Sequence, residues 1–143
     1  MRAVLLSLTL LALAPDVRAQ KRQRYSREER YKYLVAKAAV VMHTSLDHAK
    51  VSRLLHQAAR LKATAAVYCD LGDVHLRWAL RAVHAAKRRS ERQVGQQLTL
   101  AGGHYKRCHE LAKKLPRTSR IHRRVARGQR DIERLRRSYP APR

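Results

Sequence analysis

The 143-residue chain contains neither Phe nor Asn, only two Cys, one Trp and four Pro, and its 10 Asp+Glu face 33 Lys+Arg. Each shortage excludes something. Without Asn there is no N-glycosylation acceptor, a lack that suits a bacterial envelope protein or an unglycosylated secreted one. No proline falls between Pro15 and Pro116, and no stretch alternates as a half-buried strand would. Helix is the element that remains. GxSxG, HExxH, CxxC and Gly-rich phosphate loops are all missing, so hydrolase, metallopeptidase and nucleotide-binding chemistries have no signature. The few acids do not form a catalytic pair either. Asp47, Asp70, Asp73, Asp131 and Glu133 sit near helix starts or near Arg, where they read as caps and as ion-pair partners such as Glu133 with Arg137. No enzyme is expected.

The one long apolar run is Ala3–Ala14, behind the basic Met1-Arg2 and ahead of Pro15-Asp16. Val17 and Ala19 are small residues at the −3 and −1 positions of a cleavage site. This is the build of a secretory signal peptide, too short to span a bilayer. The expected organisation is a signal peptide over 1–19, one all-α domain over 20–138, and a Pro-containing tail over 139–143. Cleavage between Ala19 and Gln20 places the protein outside the cytoplasm, secreted or periplasmic. It also removes Arg2, Arg18 and Asp16, leaving 31 Lys+Arg against 9 Asp+Glu.

In an oxidising compartment Cys69 and Cys108 invite a disulfide, although two buried thiols would also suit their apolar stripes. Closure of that loop would stabilise the fold by about 4 kcal/mol in the chain-entropy picture.

Capping boxes and apolar stripes predict about five antiparallel amphipathic helices, as a bundle or a short repeat array. Ser26-Arg27-Glu28-Glu29 opens the first, with Tyr31, Leu34, Val35, Ala38, Ala39, Val41 and Met42 inward. Thr44-Ser45-Leu46-Asp47 opens the second, with Val51, Leu54, Leu55, Ala58, Leu61 and Ala65 inward; it either breaks near Lys62 or continues to Cys69. Gly72-Asp73 reads as a stop followed by a new N-cap, ahead of Leu76, Ala79, Leu80, Val83 and Ala86. Ser90-Glu91-Arg92-Gln93 is a third box. Behind it Val94, Leu98, Ala101, Tyr105, Cys108, Ala112 and Leu115 form an a/d seam, which Gly102-Gly103 would break or kink. Thr118 or Ser119 caps a last helix with Ile121, Val125, Ile132 and Leu135 inward.

Leu71-Gly72-Asp73 with Ala79, Val83 and Ala86, and Gly103-His104-Tyr105 ending at Leu115-Pro116, resemble parts of tetratricopeptide-like helical hairpin repeats. Lys50, Ala79 and Cys108 recur at 29 residues, against a family period of about 34. The resemblance covers about half of the mature chain. It implies a protein-interaction scaffold without catalytic residues.

The positive charge is uneven. Lys21–Lys37 holds seven basic and two acidic residues, Lys87–Arg92 four and one, and Arg117–Arg143 ten and two. Ala38–Ala86 holds only six and three. Like charges at this density oppose compaction unless an anion neutralises them. The expected anion-binding residues are Lys21, Arg22, Arg24, Lys87, Arg88, Arg89, Arg120, Arg123, Arg124, Arg127, Arg130, Arg134 and Arg137. Their partner would be an envelope polymer, lipid headgroup, glycan or nucleic acid, or else an acidic protein surface. Sequence-specific DNA reading is not expected without a groove-reading motif, and few aromatics accompany the basic runs for base stacking. Peripheral membrane contact by the last helix is a lesser expectation. The eight His are scattered apart from His104 and Cys108, four apart. They are read as solvated or half-buried side chains, with no metal and no cofactor.

Overall fold

The computed structural model describes residues 25–45, 47–84, 89–117 and 119–139. The segment expected as a signal peptide, most of the tail, Leu46, Ala85–Arg88 and Thr118 lie outside them. Among these residues five helices form: α1 (Arg27–Thr44), α2 (His48–Leu61), α3 (Ala65–His84), α4 (Arg89–Ala112) and α5 (Arg120–Ser138). No strand is present among the described residues. The all-α class predicted from periodicity is the class observed.

Local chemistry explains most helix boundaries. Ser26 Oγ accepts from the Glu29 amide at 3.2 Å, and Glu29 accepts from the Ser26 amide at 2.7 Å, completing the first capping box. The second box does not act as expected. Thr44 ends α1, its hydroxyl donating to the Val40 carbonyl at 2.9 Å, and Asp47 caps α2 by accepting from the Lys50 amide at 2.9 Å. A carboxylate complements the positive helix N-terminus better than a hydroxyl does. α2 ends at Lys62, where the backbone becomes extended. The open alternative therefore resolves to a break, and the Thr64 hydroxyl accepts from the Val67 amide at 3.3 Å at the start of α3. Ser119 caps α5 by accepting from the Ile121 amide at 3.3 Å.

Two expected interruptions are overturned. α3 runs unbroken through Gly72 and Asp73, and α4 runs through Gly102-Gly103. α4 also begins at Arg89, one residue ahead of the Ser90 box. A helical glycine costs about 1 kcal/mol relative to alanine, an amount that burial of neighbouring Ala101, Tyr105 and Cys108 exceeds.

α3 is the centre of the molecule, with nine buried residues spread around it. Val67, Leu71 and Val74 meet Leu34, Ala38 and Val41 of α1 and Val51, Leu55 and Ala58 of α2. Cys69, Leu76 and Ala79 meet Val94, Leu98, Ala101, Tyr105 and Cys108 of α4, together with Val125 and Ile132 of α5. A helix apolar on most sides belongs inside a fold, between two layers. The α3–α4 pair makes the most extensive packing, α1 packs on α2, and α5 lies against both α4 and α3. Cys69 and Cys108 are fully buried at disulfide distance across the α3–α4 contact, with Sγ–Sγ 2.27 Å and Cα–Cα 5.3 Å. Three residues expected inside are instead exposed: Ala39, and Leu80 and Leu115 at 38% and 39%. Ala82 occupies the inward position on α3, and Leu115 falls beyond the end of α4.

Candidate functional site

A single tyrosine organises the strongest surface feature. Tyr105 on α4 is 1% exposed, and its ring lies between Gly72 of α3 and Gly128 of α5. A Cβ on Gly72 would come within 2.9 Å of the ring, and one on Gly128 within 2.3 Å. Only glycine at both positions lets the three helices close on it. The Tyr105 hydroxyl donates to Asp73 Oδ1. The other Asp73 oxygen accepts from Arg124 Nε at 2.8 Å, while Arg124 Nη2 also reaches Asp70 Oδ1 at 2.6 Å. Asp73 is therefore a core anchor rather than the N-cap expected from Gly72-Asp73. Burial and the Asp73 contact push the Tyr105 phenol well above its ordinary pKa, so it stays a donor. Burial raises the Asp70 carboxyl, with the Arg124 hydrogen bond acting against it. Burial also works against the Arg124 charge, but the hydrogen bonds to Asp73 and Asp70 outweigh it and hold its pKa up.

Beside this anchor lies an open cleft of about 540 Å³ lined by Arg120, Arg123, Arg124 and Arg127 of α5, with Asp73, Tyr105 and Asp131 among the other walls. Arg124 is tied to the two α3 carboxylates. Arg120, Arg123 and Arg127 are exposed and make no ion pair among the described residues. Three guanidinium groups with free donors around one concavity can receive phosphate, sulfate or carboxylate oxygens, two at a time.

The expected basic residues thus divide. Arg120, Arg123 and Arg127 converge, and Arg124 joins them as a held wall. Arg130, Arg134 and Arg137 are exposed on the same helix outside the cleft. The i,i+4 pair of Glu133 with Arg137 does not form; both side chains stay in solvent, where such a pair is worth little. Arg89 begins α4, while Lys21, Arg22, Arg24, Lys87 and Arg88 lie outside the described residues.

A second cluster had no signal in the sequence. The histidines are not scattered: α2, α3 and α4 bring His56, His75 and His104 together, with one ring nitrogen of each within 4.8 Å of the others. His75 is 4% exposed; its Nδ1 lies 2.6 Å from Gln97 Oε1 and its Nε2 lies 3.2 Å from Ser52 Oγ. The His104 ring stacks on His75 at 5.2 Å between centroids and tilts against His56 at 5.3 Å. Its Nε2 is buried with no hydrogen-bond partner. Burial, aided by the neighbouring imidazoles, pushes the His104 pKa down to about 4. Burial lowers His56 and His75 as well. Trp78, the only tryptophan, stacks at 6.2 Å on both His75 and the buried His48. Each helix contributes one histidine, so no local spacing could reveal the cluster.

No helix among the described residues is long and apolar enough to cross a membrane. Comparison with known proteins returns no match: no family model fits the chain, and no curated protein or solved structure is significantly similar to it.

Proposed function

We propose that this is an exported basic helical protein that binds a polyanion through α5, with Arg120, Arg123 and Arg127 in the α5 cleft as the central contacts. The observation that carries the reading is their convergence, unpaired with any described carboxylate, around one open concavity. Arg124 supports the site from below: its pairs with Asp70 and Asp73 fix α5 on α3 and keep the neighbouring guanidinium groups in register. Arg130, Arg134 and Arg137 extend the positive strip along the same helix. A chain of this charge favours extended polymers with repeated anionic groups over a single small ion. The apolar N-terminal run and the buried cysteine pair support an oxidising, extracytoplasmic setting. The partner would then be an envelope polymer, an anionic lipid surface, a sulfated glycan or released nucleic acid.

Binding of the chain to heparin, lipopolysaccharide and duplex DNA tests the reading. Affinity should be high at low salt and fall steeply before 0.5 M, because each neutralised charge releases a counterion. Replacement of Arg120, Arg123 and Arg127 by Gln should weaken all three interactions together. No binding at low salt, or binding unchanged at 0.5 M, would remove the proposal and leave an acidic protein surface as the partner to seek.

A further inference from the structure

We infer that His56, His75 and His104 form a binding site for a divalent transition metal, with zinc, cobalt, nickel and copper as the fitting class. The site is separate from the arginine cleft and does not depend on the polyanion reading.

The donor geometry comes first. The three ring nitrogens already lie within 4.8 Å of one another. Imidazole nitrogens around one tetrahedral ion at about 2.0–2.1 Å would be about 3.4 Å apart, so closure takes a shift of an ångström or so. The three rings differ in how they can supply it. His56 is largely exposed, so its ring has solvent on one side into which to turn. His104 has no Nε2 hydrogen bond to break when its ring rotates. His75 is held in place.

The way His75 is held is the second observation. The Gln97 carbonyl oxygen 2.6 Å from Nδ1 is an acceptor, so the Nδ1 atom carries the proton. The lone pair then resides on Nε2, which has the Ser52 hydroxyl at 3.2 Å. An oxygen acceptor behind a ligating imidazole, which orients the ring and sets its tautomer, is the usual support of a histidine metal site, and the Gln97 oxygen takes that place here. Gln97 and Ser52 are both 8% exposed, so this support is built into the packed interior.

The third observation is the orphaned His104 Nε2. A buried polar atom without a partner is unfavourable, because it has given up its hydrogen bonds to water without replacement. A metal ion is a partner that accepts its lone pair and draws the three rings to one point.

The ligand class follows from the donors. Three neutral imidazoles without a carboxylate suit borderline transition ions and exclude calcium and magnesium as the intended cation, since those require oxygen. Three protein ligands leave a position of the tetrahedron open to water or an exogenous ligand, and the exposed His56 edge provides the entry path.

Cobalt titration of the full oxidised chain, stripped with EDTA and kept near pH 7.5, tests the assignment. One Co²⁺ per chain should bind with the intense visible absorption of a four-coordinate ion, and Zn²⁺ should displace it. His56→Ala changes an exposed side chain and should keep the fold, yet weaken binding at least ten-fold; His104→Phe should do the same while retaining a ring against His75. A double His109→Ala/His122→Ala variant, which removes a separate histidine pair whose rings lie 6.0 Å apart, should bind as the unaltered chain does. Absence of saturable binding, or equal binding by the folded His56→Ala variant, would overturn the site.

Discussion

At the scale of single residues, the fold turns on Tyr105. Its ring is the largest fully buried side chain and is gripped by two glycines whose roles were not legible in sequence. Gly128 sits inside the arginine-rich helix with no local signal, and Gly72 before an aspartate reads as a stop. Their function exists only once α4 lies across α3 and α5. Gly128→Ala would place a methyl carbon 2.3 Å from the Tyr105 ring, and overpacking of this kind costs about 1–3 kcal/mol. Urea unfolding should show that loss, whereas Gly103→Ala, where nothing lies within 4 Å of an added Cβ, should leave stability unchanged or raise it by up to about 1 kcal/mol. Tyr105→Phe leaves the ring in place but removes the hydroxyl donor to Asp73. A hydrogen bond to a carboxylate is worth about 1.5–3 kcal/mol, so the variant should fold with that deficit.

The imidazoles give the metal-free protein a pH profile. His104 has its pKa pushed down to about 4 in the fold, against about 6.5 in an unfolded chain. Between these values the folded state binds fewer protons. Stability is therefore intact above pH 6.5 and is lost as the pH falls toward 4. Burial lowers His48, His56 and His75 in the same direction, with Arg81 and Arg77 adding to it at His48. Unfolding free energies at pH 7.5, 6 and 5 in EDTA should decline in that order; a flat profile would contradict the burial of these rings.

At the scale of elements, the α4 seam was fully legible up to its end. Val94, Leu98, Ala101, Tyr105, Cys108 and Ala112 were named from a spacing of four and three residues, and all are buried. Periodicity reports which face of a helix packs, because packing selects apolar side chains along one stripe. It does not report where tertiary contacts override a local stop signal, so α3 and α4 pass through their glycines. Nor does it report sites assembled from one residue per helix. The arginine cleft was half visible, since the basic residues of α5 are contiguous; their convergence beside Tyr105, and the capture of Arg124 by Asp70 and Asp73, required the neighbouring helices. The cysteine pair belongs to this scale too. Its residues are 39 apart and join the two most closely packed helices. Cys69→Ser should lower stability by about 4 kcal/mol, and mass spectrometry of the unreduced wild-type chain should find it two hydrogens lighter than the reduced form. Full labelling of both thiols in the untreated protein would contradict the bond.

At the scale of the whole molecule, excess positive charge and a small-residue core fit together. Ala38, Ala58, Ala79, Ala82, Ala101 and Ala112 line the interior, and the largest buried side chain needs glycine on either side of it. Such a core leaves charged α5 close to α3, where Asp70 and Asp73 pair with Arg124 and Asp131 lines the cleft. The remaining field points to solvent. We propose that this field is used, with Arg120, Arg123 and Arg127 meeting the polyanion directly. The salt dependence of duplex-DNA binding measures it, for the wild-type chain and for the Arg120→Gln/Arg123→Gln/Arg127→Gln variant. Each phosphate contact contributes about 0.9 to the slope of log affinity against log salt. The variant's slope should therefore be shallower by about 2.7 if all three contacts are lost, with an unfolding midpoint unchanged or raised. An identical slope and affinity in a folded variant would contradict the account and place the contact elsewhere on the chain.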